Sequence, residues 1–352
     1  MRTPLLRRLR QLVRDARNSK KTGIPVDEIQ DIRAERSARR RRDGITRRDL
    51  MIGGAMGAGL LAIPRGARAA GQPSITIVGG GIAGLTCALT LADAGYDSTV
   101  YEASGRIGGR MFTNRTNYFG GQITEWGGEL IDSGHKTVRK LAARFNLRLD
   151  NLLNAQPNGS RDIYRIDNQY YPATQADADF LAMADALYAD LDAAGYPTRF
   201  DDFTAQGQSL DQMSIRQWIN SRVPGGVNSK LGQVLDAAYN IEFGADIEKQ
   251  SALNLIYLLG FQPGNQQLDM FGESDEKFHI RGGNQQLPEA IADDLGDGVV
   301  KTGHSLVRLV ETPNGRYRCT FERASSTVEV VSDYVVLAIP FAILKNIDTA
   351  QA

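Results

Sequence analysis

Residues 74–110 read SITIVGGGIAGLTCALTLADAGYDSTVYEASGRIGGR. Ile75 to Val78 predicts a short strand, and Gly79-Gly80-Gly81-Ile82-Ala83-Gly84 follows it in the pattern G-x-G-x-x-G. An apolar stretch from about Ile82 to Ala94 predicts a helix, with Gly95 placed as its C-terminal glycine. Ser98 to Tyr101 predicts a second strand that ends at Glu102. Each part suits a dinucleotide. Gly79 permits a sharp turn out of the strand, Gly81 lets a pyrophosphate reach the backbone, and Gly84 lets the helix lie close on the sheet. The helix start at Ile82 and Ala83 offers unpaired N–H groups and a partial positive charge to phosphates. Glu102, about twenty residues on, suits an adenosine ribose. The alternative is a purely structural βαβ turn.

The next residues narrow the cofactor. Arg106-Ile107-Gly108-Gly109-Arg110 follows Glu102 directly. Its two glycines allow close backbone approach, and Arg110 supplies a fixed cation for a diphosphate. The run Glu102-Ala103-Ser104-Gly105-Arg106-Ile107-Gly108-Gly109-Arg110 resembles the E-A-x-x-R-x-G-G-R signature of FAD-dependent amine oxidases, a family of monoamine, polyamine and L-amino-acid oxidases. The larger flavoprotein superfamily with this motif also holds phytoene desaturases and protoporphyrinogen oxidases. Further on, Glu125-Trp126-Gly127-Gly128-Glu129-Leu130-Ile131 resembles the family segment whose backbone passes beside the flavin ring. The resemblance therefore implies Gly79, Gly81, Ile82, Ala83, Gly84, Glu102, Gly109, Arg110, Gly127, Gly128 and Glu129 as FAD-binding residues. It adds the backbone of Val307, beside the adenine.

The chain has 352 residues, with 41 Lys and Arg against 41 Asp and Glu, so its formal charge is zero. That balance hides an arginine-rich first fifty residues and an acidic remainder. Leu5, Leu6, Leu9, Leu12 and Val13 could line one face of a helix on an anionic membrane surface; the blander reading is a basic leader. Arg39 to Arg42 lacks the interleaved aromatics of a nucleic-acid site. Thr46-Arg47-Arg48-Asp49-Leu50-Met51 resembles the twin-arginine export signal. It precedes a weakly apolar segment, Ile52 to Ile63, and an Ala67-Arg68-Ala69 cleavage site. Export by the twin-arginine machinery to a periplasmic or extracellular location is expected, with cleavage after Ala69. The alternative is a tail on a cytoplasmic enzyme. Cys87 reads as a small buried helix residue and Cys319 as a strand residue. Neither these nor His135, His279 and His304 show metal-ligand spacing. No stretch is long and apolar enough to span a membrane.

Gly120 and Gly121 read equally as a hairpin connection. Ser133 is expected to cap a helix from His135 to Phe145, with His135 a capping or surface residue. Apolar residues at helical spacing predict helices over Ala176–Ala194, Leu210–Ser221, Lys230–Phe243 and Ala252–Gly260. Tyr239 and Glu242 could line an amine channel, but core packing and solvent exposure are the simpler reading. Gly282 to Leu287 resembles the family's glycine turn into a helix, here Pro288 to Leu295. Strands are expected over Val299–Thr302, Ser305–Glu311, Arg316–Glu322 and Thr327–Val331, with a hairpin at Pro313-Asn314-Gly315. Tyr334 to Pro340 reads as a buried, continuously apolar strand. Its Ala338-Ile339-Pro340 resembles the family's A-x-P motif near the cofactor.

The expected fold class is α/β. It is a Rossmann-like FAD-binding domain of the GR2 flavoprotein type with an inserted, mainly helical substrate domain. The expected organisation is a leader and signal at 1–69, the first part of the FAD domain at 70–150, the helical domain at 151–281 and returning strands at 282–352. The resemblance implies oxidation of a primary or secondary amine, or an amino acid, to an imine, with oxygen reduced to hydrogen peroxide. The partners would be that small amine and oxygen. A flavin desaturase or protoporphyrinogen-oxidase-like enzyme, and a nicotinamide dehydrogenase, are the other enzyme readings. In the family, later sequence carries a flavin-facing lysine, aromatic residues that sandwich the amine and a second flavin motif. None is assigned here, and Lys345 falls too early, so no catalytic residue is named. A C-terminally truncated sequence is expected, the alternative being a short, noncatalytic flavin-binding protein.

Overall fold

The computed structural model describes residues 72–157, 160, 162–262 and 268–349. The basic leader, the twin-arginine segment and the Ala67-Arg68-Ala69 site lie outside the described residues. The described residues divide into two units, one formed by residues 72–131, 135–152 and 278–349 and the other by residues 132–134 and the described part of 153–277.

The first unit is organised on a four-stranded parallel sheet. Its order is Tyr334–Leu337, Ile75–Val78, Thr99–Tyr101, Val300–Lys301. Parallel neighbours need a crossover, and the Ile82–Asp93 helix provides it between the two central strands. That helix ends in a Schellman arrangement: the Gly95 N–H donates to Ala92 and the Tyr96 N–H to Leu91, at 3.0 and 2.9 Å. Gly95 takes the φ of +84° that this ending requires. On one side of the sheet, Leu85, Ala88 and Leu89 pack with Leu287, Ile291 and Leu295 of the Gln286–Leu295 helix around Ile77 and Val100. A second cluster joins Val78 and Tyr101 to Leu306, Cys319 and Phe321 of an antiparallel sheet formed by Ser305–Glu311, Tyr317–Arg323 and Ser326–Ser332. There the Tyr101 ring stacks on Phe321 with centroids 4.3 Å apart.

Several expectations are corrected here. Tyr334–Leu337 is an edge strand of the parallel sheet, half-buried, with Tyr334 exposed. An unbroken apolar run does not distinguish an edge from a centre. The helix after Ser133 begins at Lys136, and its N-cap is His135 with no side-chain cap bond. Ser133 therefore lies too far upstream to cap it. The helix expected from Pro288 begins at Gln286, which puts the proline in the first turn, where its missing N–H is not needed. Cys87 is only half-buried, whereas Cys319 is fully buried and its thiol is pushed up to about 11 by desolvation.

The second unit holds the helices Ala173–Ala194, Ala205–Gln212, Ile215–Arg222, Lys230–Phe243 and Ala252–Leu259. A hairpin of Ile163–Ile166 and Gln169–Pro172 turns through Asp167 and Asn168, both at positive φ. That is the two-residue turn whose twist matches paired strands. The helices close on a core that includes Phe180, Leu187, Trp218, Leu235, Tyr239 and Ile256. Tyr239 is fully buried, its hydroxyl donating to the Met270 carbonyl at 3.1 Å, and Glu242 is exposed. Asp190 is buried at the centre, accepting from the Trp218 indole and from Arg222 at 2.9 Å each. The single helix expected over Leu210–Ser221 is two. Ser214 and Gln217 form a reciprocal capping box that starts a new helix after Met213. Among the described residues no helix is long and apolar enough to cross a membrane, and no group of side chains has the make-up of a metal site.

Ser214→Ala removes the cap and should lower unfolding stability by about 1 kcal/mol, read from urea midpoints. A pH effect follows from Asp333 at the root of the sheet. Its carboxylate accepts from the Ser74 hydroxyl at 2.6 Å, from the Ser74 N–H at 2.7 Å and from Arg316 at 2.9 Å. The Ser74 donors first, then the guanidinium, hold its carboxyl below the usual range. A depressed carboxyl contributes stability above its unfolded value, and that contribution is lost as pH falls through the folded value. The stability difference between wild type and Asp333→Asn should therefore be larger at about pH 6 than at about pH 3.

Candidate cofactor site

The glycine turn leaves the carboxyl end of the central Ile75–Val78 strand, where ligands of open α/β sheets bind. Gly79 has a φ of +107°, and its N–H donates to Tyr101 at 2.8 Å. A Cβ there would stand 2.5 Å from the Ala338 carbonyl oxygen, so the A-x-P segment also constrains the turn. A Cβ on Gly84 would stand 2.0 Å from the Gly79 carbonyl oxygen, which explains why the first helical turn needs glycine there. Gly81 is different: the nearest atom to a Cβ, the Gly109 Cα, is 3.9 Å away. Gly81 is also the N-cap of the Ile82–Asp93 helix, with no side-chain cap bond. The first N–H to enter the helix ladder is that of Leu85, bonded to the Gly81 carbonyl at 3.0 Å. The N–H groups of Ile82 and Ala83 are therefore open to an anion.

Glu102 braces this turn as well as facing it. One carboxylate oxygen accepts from the Gly80 N–H at 2.7 Å and the other from the Ser104 N–H at 2.8 Å. Each oxygen keeps a lone pair for a ribose hydroxyl. The second glycine pair lies against the first: the Gly108 N–H donates to the Gly80 carbonyl at 2.9 Å, and Gly81 bridges Gly108 in parallel. Arg106 and Arg110 divide the work. Arg106 donates to the Gly109 carbonyl at 2.8 Å and lies 4.0 Å over the Phe112 ring, so it holds the loop. Arg110 is exposed and has no hydrogen bond or ion pair among the described residues, leaving its guanidinium available to a diphosphate.

Gly127 and Gly128 lie on the Arg110–Met111 backbone. A Cβ on Gly127 would meet the Arg110 carbonyl at 2.5 Å, and one on Gly128 would meet the Met111 side chain at 2.9 Å. Glu129 is exposed, and its carbonyl is held from behind. The residues that hold this strip were not singled out in the sequence. The Glu125 side chain is 2% exposed. One of its oxygens accepts from the Asn284 N–H at 2.8 Å and pairs with His279 Nε2 at 2.9 Å. The other accepts from the Thr113 hydroxyl at 2.8 Å. Asn284, fully buried, donates from Nδ2 to the Gly128 and Glu129 carbonyls at 2.7 and 2.6 Å. The Gly282 to Leu287 turn is thus the clamp on the strip. The turn itself is marked in the sequence by its resemblance to the family's glycine turn, but its contact with the strip is not, because Glu125 and His279 stand 154 positions apart.

Val307 falls at a register shift in the Ser305–Glu311 strand, between Leu306, paired with Phe321, and Arg308, paired with Thr320. Its carbonyl accepts from the Asp348 N–H at 2.9 Å. Three residues earlier, the His304 N–H donates to the Glu102 carbonyl at 2.8 Å, so this strand starts beside Glu102. A cavity of about 640 Å³ opens at the other ends of the parallel strands, lined by Ile75, Tyr96, Thr99 and Val299. It is remote from the glycine turn, and its Asp93 and Asp294 are engaged by Arg144. The residues present fit a dinucleotide: an open glycine, unpaired helix N–H groups, an available arginine and a braced acid meet at one strand end.

Comparison with known proteins agrees. Residues 82–351 match the family model described as flavin containing amine oxidoreductase. An L-amino-acid oxidase of Echis ocellatus is 24% identical over 280 residues, covering 75% of this chain and 51% of that protein. An L-amino acid dehydrogenase of Synechocystis sp. is 23% identical over 276 residues, covering 75% of this chain and 55% of that protein. The solved cyclohexylamine oxidase of Brevibacterium oxydans superposes with a TM-score of 0.62 at 22% identity, over 79% of this chain and 60% of that one. The chain spans about half the length of the curated relatives it matches over most of its own length.

Two glycine substitutions should separate folding from binding. Gly84→Ala forces the helix off the turn and should reduce thermal stability whether or not a cofactor is added. Gly81→Ala has room in the protein but fills the space a pyrophosphate needs. It should unfold like wild type and bind FAD at least about tenfold more weakly, measured by flavin fluorescence titration.

Proposed function

The chain belongs to the flavin-containing amine oxidoreductase family, an enzyme family whose cofactor is FAD, and from that premise we propose that it oxidises a small amine to an imine with oxygen reduced to hydrogen peroxide. The observation that carries this reading is the open cradle at Gly81, with the Ile82 and Ala83 N–H groups unpaired beside it and Arg110 exposed and uncommitted one residue after Gly109, which lies against it. Bound FAD supplies the two-electron acceptor for the carbon beside the amine. The chain's own residues bind and orient it. The helix start and Arg110 meet the diphosphate, Glu102 the ribose, Val307 the adenine side, and the Gly127–Gly128 strip the ring.

The substrate is a primary or secondary amine or an amino acid, the class shared by the names of the relatives. The helical unit is read as the substrate-binding part. A dehydrogenase among the relatives makes the electron acceptor a point to measure rather than assume. The Thr46 to Met51 motif supports export by the twin-arginine route to a periplasmic or extracellular place, a route that carries folded proteins with their cofactor inserted.

The test uses the purified full chain. Expected are flavin absorbance that copurifies, or is gained on adding FAD, and peroxide release on adding amines or L-amino acids. Bleaching by an amine without peroxide, but with reduction of an added dye, would reassign the acceptor. Failure to bind FAD at all would reject the proposal. Arg110→Ala should weaken FAD binding by about tenfold, an effect that shrinks at high salt.

A further inference from the structure

Phe112 holds the Gly127 carbonyl through its N–H at 3.2 Å, and one side chain holds the next two carbonyls of the strip. Asn284 is fully buried, and its amide orientation is fixed by its partners. Oδ1 accepts from the Ile280 N–H at 2.8 Å, while Nδ2 donates to the Gly128 and Glu129 carbonyls at 2.7 and 2.6 Å. Two consecutive carbonyls are therefore drawn toward the same point. These peptide bonds are trans, and in a trans peptide the carbonyl of one residue and the N–H of the next point in opposite directions. The N–H groups of Glu129 and Leu130 must then point away from Asn284. Neither has an acceptor among the described residues, and Glu129 is exposed. Two adjacent N–H groups left open on one side of a strip form a donor pair for an electronegative ligand edge.

The rest of the cluster serves this one amide. The Asn284 N–H is bonded to the Glu125 carboxylate, which His279 and Thr113 hold from two further directions. Gln285 locks the same turn: its N–H donates to the Thr113 hydroxyl at 3.0 Å, and its side-chain carbonyl accepts from the Thr113 N–H at 3.0 Å. Gly283, at a φ of +109°, lies where a Cβ would stand 2.2 Å from the Thr113 side chain, so the turn is pressed on that strand without slack. A buried amide bonded through both its oxygen and its nitrogen to three backbone groups, two of them consecutive carbonyls of the strip, is more than the fold of a surface loop requires.

We propose that Asn284 is a positioning residue that aims the Glu129 and Leu130 N–H groups at the flavin ring. It acts through the Gly128 and Glu129 carbonyls and is itself set by the Glu125–His279–Thr113 cluster. The inference rests on the FAD reading above. Donors directed at the ring stabilise electron density there, so the residue governs the ring's electronic state as well as its affinity.

The experiment compares wild type, Asn284→Ala and Asn284→Asp as purified full chains, with FAD itself as the probe. Affinity, the absorption spectrum of the bound flavin and its reduction potential are each measured. Asn284→Ala should bind FAD about tenfold or more weakly, with a displaced flavin spectrum and a lower potential. In Asn284→Asp the ionised carboxylate repels both carbonyls, but its protonated form regains one donor. FAD affinity of that variant should therefore recover as pH is lowered, relative to wild type at the same pH. Gly81→Ala serves as the contrast: at the phosphate end it should weaken affinity while leaving the spectrum and potential of bound flavin unchanged. Two folded variants with wild-type affinity, spectrum and potential would overturn the inference, as would a loss of thermal stability alone. Should Asn284→Ala fail to fold, the pH dependence of Asn284→Asp decides on its own. If wild type binds FAD and the variants do not differ, this inference alone falls. If wild type binds none, the FAD reading falls and takes this one with it.

Discussion

A carboxylate with a backbone N–H on each oxygen is the constraint on which the cofactor end of the first unit depends. Glu102 ties Gly80 of the first turn to Ser104 of the second, and so joins two glycine loops that have few side chains of their own to pack. Glycine loops are costly to order because their unfolded chains have the most freedom to lose. Short charge-assisted bonds at a strand end offset part of that cost without filling the space above the turn. The same solution recurs at the Gly127–Gly128 strip. There the buried Glu125 collects the Asn284 N–H, His279 Nε2 and the Thr113 hydroxyl, and one of the atoms it fixes is again a backbone N–H beside a glycine, Gly283. Both acids leave the ligand-facing side bare.

The two ends differ in how far they could be read from the sequence. Gly79, Gly81, Gly84, Glu102 and Arg110 lie within about thirty residues, and the periodicity of strand and helix places them relative to one another. Their roles follow from local geometry: no side chain at Gly84, an open N-cap at Gly81, a strand end at Glu102. The Glu125–Asn284 clamp joins residues that stand, in sequence, on either side of the segment forming the second unit. Nothing local separates Asn284 from any polar residue in a glycine turn, nor His279 from a surface histidine. Long-range hydrogen bonds leave no period behind.

Two misreadings have similar causes. Tyr334 to Leu337 is apolar enough for a central strand, but centrality is decided by what lies alongside it, and only Ile75–Val78 does among the described residues. The helix expected through Met213 followed the apolar spacing, which continues across the break, while Ser214 and Gln217 carried the stop-and-start signal. Capping chemistry there outweighs periodicity because two orphan backbone groups are satisfied at once.

The placement of the two thiols has a bearing on durability. A flavin that passed its electrons to oxygen, as proposed above, would release an oxidant beside the protein that holds it. Sulfur is attacked as thiolate, not as thiol. Desolvation raises the Cys87 thiol, and the fully buried Cys319 is held near 11, so neither offers appreciable thiolate at neutral pH. The chain carries two cysteines in all. Both sulfurs of this chain are therefore poor nucleophiles at neutral pH, and poor partners for oxidation or cross-linking.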